Sequence, residues 1–192
     1  MFNDLSSPAA YLATRRSGRA REMVGPGPDA DQLAEMIAVA ARTPDHGKLA
    51  PWRFVIVPAE RRADFAALLH RALDADPAAR AAHAQKADEF ARSGEALVVL
   101  LAAPVSGHKI PVWEQELSVG AAAMNLLHAA HVQGFVGSWL SGWAAYDPLV
   151  RAAFCAGPEE RIAGFFFFGS PGRPLQERPR PDTDMIVRQW HG

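Results

Sequence analysis

The sequence predicts a mixed helix-and-strand fold in one domain. Three observations predict it. Four runs rich in β-branched and aromatic residues, at 52–57, 97–102, 134–140 and 161–169, are separated by segments whose apolar residues recur every three or four positions. One of these runs, 97–102, is apolar throughout, as in a strand covered on both faces, and the run at 161–169 carries Phe165 to Phe168 consecutively. A chain of 192 residues is one domain's length, and a chain of that size buries roughly 70% of its unfolded surface. The connections allow either an α/β or an α+β arrangement.

In chain order, 7–17 reads as a short helix leading to Arg15, Arg16 and Ser17. Gly25, Pro26, Gly27 and Pro28 mark a loop. Asp29 or Asp31 caps the next helix, whose core face is Leu33, Met36, Ile37, Val39 and Ala40, and which stops before Pro44. After the strand at 52–57, a helix over 60–75 puts Phe65, Leu68, Leu69 and Leu73 on one side. Pro77 interrupts it, and 78–93 is a further helix, polar and Ala-rich. The helix over 113–133 is apolar all round, which asks for burial all round. In a chain this small, that means burial against a second subunit as well as its own core. A strand at 134–140, a short helix from Asp147 or Pro148 to Phe154, and the strand at 161–169 follow. The tail 170–192 is rich in Pro and Arg and has no core pattern, so it is frayed or wrapped on something.

Hydrophobic residues at 49% and charged residues at 21% exclude a disordered or fibrous class. Lys+Arg 20 against Asp+Glu 21 gives a net charge of -1, which speaks against a nucleic-acid partner. The patch from Arg15 to Arg21 lacks interleaved aromatics and is closed by Glu22. Cys155 is the one cysteine, so no internal disulfide and no CxxC site can form; it reads as a small apolar filler near Phe154. No apolar stretch approaches the roughly 20 residues that span a bilayer, and no secretory or twin-arginine pattern fits the start. The expectation is a cytoplasmic protein with no membrane partner.

No hydrolytic nucleophile elbow, Walker loop or G-x-G-x-x-G is present. His128 and His131 share a helix without an acidic residue at ligand spacing, so they read as an interface or solvated face and no metal is expected. What remains is anion recognition. Arg15, Arg16, Ser17 and Arg19 supply guanidinium forks and a hydroxyl suited to a phosphate. Arg42, His46 and Lys48 sit on a Pro/Gly-shaped loop before Pro51 and Trp52. Trp139, Leu140 and Ser141 follow a strand, where backbone amides can meet a planar ligand.

In order and spacing these features resemble the nitroreductase family of FMN enzymes, most closely its small YdjA-like branch. The matching residues are Arg15-Arg16-Ser17, Arg42-Thr43-Pro44-Asp45-His46 with Pro51-Trp52, Trp113-Glu114-Gln115-Glu116, Gln133-Gly134-Phe135, Trp139-Leu140-Ser141-Gly142, and the late strand from Gly164 to Gly169 with Pro171. They span about residues 10–175, nearly the whole chain.

The resemblance implies an α+β fold with a central mixed, mainly antiparallel sheet flanked by helices, in an intertwined homodimer with FMN at the subunit interface. It implies one domain over 1–192, with the tail 175–192 wrapping the partner subunit. Arg15, Arg16 and Ser17 would hold the phosphate and ribityl chain, Arg42 and His46 would reach the flavin from either chain, and Trp139, Leu140 and Ser141 would line the isoalloxazine. Arg173 is the candidate late basic residue at the phosphate, and Arg15, Arg42 and Lys48 are candidates to stabilise the reduced ring. The implied activity is an NAD(P)H oxidoreductase that passes electrons to a small-molecule acceptor, a nitro compound or a quinone-like one, in a ping-pong cycle. No side chain is needed as a nucleophile or essential acid. Other flavin chemistry on this scaffold, such as dehalogenation or flavin breakdown, and a non-enzymatic redox-sensing module are the alternatives.

Overall fold

Phe165, Phe166, Phe167 and Phe168 are fully buried, and the fold is built outward from them. In a strand, consecutive side chains point to opposite faces, so four in a row demand cover on both. The computed structural model describes residues 1–75 and 81–192, with the backbone alone at 81 and 82. Pro77 and the first residues of the helix expected over 78–93 lie outside the described residues. The rest divides into a central unit, Ser17–Arg173, and a terminal unit, Met1–Arg16 with Pro174–Gly192.

In the central unit, β5 (Arg161–Pro171) runs through the middle of the sheet. One edge of it pairs with β3 (Ala96–Ala102), which pairs in turn with β2 (Trp52–Val57). The other edge pairs with β4 (Val136–Leu140) and, further along, with the two-residue β1 (Met23–Val24). The resemblance implied a mixed, mainly antiparallel sheet; among the described residues all four pairings are antiparallel. The architecture is α+β.

One face of the sheet carries α2 (Ala30–Ala40) and α5 (Val112–Val132), whose Leu33, Met36, Ala122, Ala123, Leu126 and Ala130 pack on Phe166 and Phe168. The small alanines of α5 let its backbone lie close to the sheet. The opposite face carries α3 (Arg62–Asp74), α4 (Ala81–Arg92) and α6 (Pro148–Phe154). There Phe65, Phe90 and Phe154 meet Phe165 at centroid distances of 5.7, 5.1 and 6.3 Å, mostly edge to face. As the unbroken apolar run anticipates, every residue of β3 is buried. Of the two cap candidates, Asp29 caps α2, in a capping box with Gln32; Asp147 caps α6.

The far face is pinned by Arg62. Its guanidinium donates to Ala91 O, Ser93 O and Gly94 O at 3.0, 2.9 and 3.2 Å, satisfying carbonyls that α4 leaves open. It also lies 5.6 Å from the Phe167 ring centre. Burial pulls its pKa down to about 10, opposed by Glu95, so it remains a cation at neutral pH. Arg62→Ala leaves those carbonyls unmet. A loss of about 2 kcal/mol is expected, read as a lower urea midpoint at unchanged slope, with Arg62→Lys restoring only part.

Two expectations are corrected, the end of the first helix and the setting of His131. The first helix, α1 (Pro8–Thr14), stops short of Arg15. The Asn3 side chain brackets Arg16, accepting from its amide at 2.7 Å and donating to its carbonyl at 3.1 Å, and this holds the backbone extended. The helix α5 keeps one stripe that its own core does not cover: Trp113, Leu117 and Val132 are 67%, 53% and 62% exposed. With Ala121, Met124 and His128 they form one stripe at helical spacing. His131, by contrast, is buried and accepts the Gly137 amide of β4 at 3.4 Å, so it is neither solvated nor at an interface. In the terminal unit, the tail carries a short exposed helix, α7 (Thr183–Ile186). Among the described residues no helix is long and apolar enough to cross a membrane.

Candidate functional site

In the terminal unit, the Pro at the start of α1 and the Ser7 cap, which accepts the Ala10 amide, fix where the helix begins. The chain then leaves the helix at Arg15, directly before Arg16. Arg15 is half-buried beside Tyr11. Burial lowers its pKa, Tyr11 opposes this, and the like charges of Arg180 and Arg16 lower it further. Burial pushes Tyr11 up to about 12. Arg16 is tethered by its Nε, which donates to Gln176 O at 2.6 Å. Arg15 thus feels two further guanidinium groups within this unit, and the Glu177 carboxylate, 3.3 Å from Arg180 and also feeling Arg16, supplies one negative charge against the three positive ones. Arg180 was not singled out by sequence pattern, since nothing in a Pro/Arg-rich tail marks one arginine above another. Arg173, which was, is exposed in the central unit.

The central unit opens with Ser17, half-buried. Its neighbour Gly18 packs so tightly that a Cβ there would lie 2.8 Å from Val136 Cγ2, at the start of β4. Trp139 and Leu140 end that strand, and Ser141 follows it directly. The Trp139 indole turns back over the sheet, donating to Ala163 O at 3.0 Å and stacking on Phe166 at 5.3 Å between centroids. Gly164 makes this possible: a Cβ there would fall 2.1 Å from Trp139 Nε1. Gly164→Ala is expected to displace the indole and cost about 1–3 kcal/mol, visible as a lower thermal midpoint with red-shifted tryptophan emission.

The indole walls a cavity of about 430 Å³ whose lining includes Glu116, Tyr146, Arg151 and Arg161. Glu116 and Arg161 pair directly across it. Ser141 lines a separate crevice of about 290 Å³ with Phe90 and Trp143, on the α4 side.

Arg42 and His46 sit on the loop between α2 and β2, and both are exposed. Three contacts clamp this loop. Thr43 accepts from Asn125 of α5 at 2.7 Å, His46 Nδ1 lies 2.8 Å from a Glu114 carboxylate oxygen, and Asp45 accepts the Ala50 amide. Lys48 takes a positive φ of 57° in the same loop and is exposed. Glu114 and Asn125 are partners that sequence pattern did not assign. Glu114 stood inside a quoted motif, but only the fold brings it to His46, 68 residues away. The structure thus places Arg42, His46 and Lys48 on one loop beside α5, and Trp139 to Ser141 at one end of β4.

The Nitroreductase family model matches residues 12–170. A relative from Escherichia coli (strain K12), "Putative NAD(P)H nitroreductase YdjA", is 35% identical over 164 residues, covering 83% of this chain and 86% of that protein. Two solved structures share the fold. A nitroreductase-like family protein from Bacillus cereus superposes with a TM-score of 0.84 at 20% identity, covering all of both chains. The FMN and NADPH-dependent nitroreductase NfnB from a sphigopyxis strain gives 0.71 at 19% identity, covering 97% of this chain and 99% of that one. A family match over most of the length and a relative of this identity lead to one conclusion: the chain belongs to the nitroreductase family.

Proposed function

We propose that this protein is an FMN-dependent NAD(P)H oxidoreductase working as a homodimer, with nitro compounds or quinone-like molecules as acceptors. The observation that carries the reading is the gathering of Arg15, Arg16 and Arg180 in one unit, where Arg15 feels both like charges and Glu177, paired with Arg180 at 3.3 Å, offsets them only in part. That donor set suits a phosphate group, which guanidinium forks bind through charge-assisted pairs. Arg15, Arg16 and the Ser17 hydroxyl hold the phosphate and ribityl chain, with Arg180 in the place for which the sequence offered Arg173. Backbone groups of Trp139, Leu140 and Ser141 line the ring, since the Trp139 side chain is engaged with Ala163 and Phe166.

The exposed stripe on α5 supports the dimer. His46 is bonded to Glu114, in the first turn of that helix and next to Trp113. Covering the stripe with a second copy carries Arg42 and His46 toward the partner's flavin; of the tail 175–192, Gln176 and Arg180 stay with Arg16 and Arg15 of their own chain, and the part beyond them wraps that partner. The lone cysteine suits the reducing cytoplasm.

When bound, FMN supplies the redox chemistry, taking a hydride from NAD(P)H and passing electrons to the acceptor in alternate halves of a ping-pong cycle. The protein's own part is to grip the phosphate, orient the ring, and place cations (Arg42 and Lys48) where negative charge develops. Purified protein should be yellow, with one FMN per subunit, and anaerobic NADPH should bleach it. Colourless protein that takes up no FMN in titration contradicts the reading. Yellow protein that neither NADH nor NADPH bleaches points to other flavin chemistry.

A further inference from the structure

We infer that Glu114 is a positioning residue that sets which nitrogen of His46 faces the flavin; this rests on the proposed FMN site. His46 Nδ1 lies 2.8 Å from Glu114 Oε2. A carboxylate only accepts hydrogen bonds, so the proton of a neutral imidazole must sit on Nδ1. Nε2 then carries the lone pair and points away from Glu114. An imidazole held this way is a hydrogen-bond acceptor on its outward side. It therefore meets a donor group of the cofactor, a ribityl hydroxyl or the N–H of the flavin's pyrimidine ring, and not the phosphate, which only accepts.

The clamp is not confined to this pair. Thr43 is tied to Asn125 further along α5, and Gly47 packs toward Ile110, whose Cγ1 lies 3.2 Å from where a Cβ would be. The backbone of the loop is thus held on both sides of His46, while the ring's orientation about χ2 is left to Glu114. Glu114 itself stands in the first turn of α5, where the helix dipole favours its charge. The chain thus places a carboxylate beside a histidine whose loop is held by two further contacts, Thr43 to Asn125 and Gly47 to Ile110.

The test is ¹⁵N NMR of the imidazole nitrogens in FMN-loaded protein at pH 8, with the His46 signals assigned by their loss in His46→Gln. Wild type should show His46 protonated at Nδ1. Glu114→Ala should move it toward the Nε2–H form that a free imidazole prefers, and should weaken FMN binding by about threefold to tenfold. Glu114→Ala/His46→Ala should bind FMN no more weakly than His46→Ala alone, because Glu114 acts through the ring. Unchanged His46 signals in Glu114→Ala overturn the positioning role and leave the flavin site standing. If His46→Ala binds FMN as wild type does, the His46 contact itself fails, and the inference fails with it.

Discussion

Leu117→Glu is expected to break the proposed dimer into monomers and to abolish flavin binding. Leu117 is 53% exposed in the single subunit, on a stripe with Trp113, Ala121, Met124, His128 and Val132. Burying one large apolar side chain is worth about 1.5–3 kcal/mol. In a symmetric interface each substitution counts twice, and an unpaired carboxylate buried there adds a further penalty. Dimer dissociation should strengthen by at least about a hundredfold. The stripe faces away from its own core, so the far-ultraviolet circular dichroism of the subunit should be kept. Light scattering gives the mass, and absorbance near the flavin bands gives the occupancy. A monomer that retains one tightly bound FMN would mean that one subunit builds the site alone.

The second large effect is on the phosphate. Arg16→Ala should weaken FMN binding about tenfold to a hundredfold, because a hydrogen bond to a charged group is worth about 1.5–3 kcal/mol. Arg16→Lys keeps the charge and loses the fork, so it should fall between wild type and alanine. Inorganic phosphate should compete with FMN in wild type and much less in Arg16→Ala. Isothermal titration of the apoprotein reads all three. Equal FMN affinity in wild type and Arg16→Ala removes the phosphate assignment.

How legible this was from sequence depended on the range of the interactions. The WRFVIV strand was readable to its ends, because β-branched and aromatic density is a local property, and the unbroken apolar run at 97–102 announced a strand covered on both faces. Local competition defeated the end of α1: the pattern runs on past Thr14, but the Asn3 side chain takes the Arg16 amide and carbonyl. Strand β1 has two residues and exists only because the end of β5 offers it partners, so no periodicity could reveal it. The apolar circumference of α5 was legible, but not which stripe of it, through Trp113, Leu117 and Val132, its own core leaves exposed. Candidate site residues stood out as residue types, whereas their partners did not. Glu114 is 68 positions from His46 and Asn125 is 82 from Thr43, so only the folded chain pairs them.

A shared site is tested most directly by mixing subunits. Arg16→Ala and Arg42→Ala/His46→Ala chains, carrying different tags, are refolded together and the heterodimer is purified for FMN titration. If each flavin takes its phosphate grip from one chain and its loop from the other, the heterodimer has one fully intact site and one that lacks both. It should then bind one FMN per dimer with wild-type affinity. If both groups come from the same chain, neither site is intact. A heterodimer with no wild-type site would contradict the account.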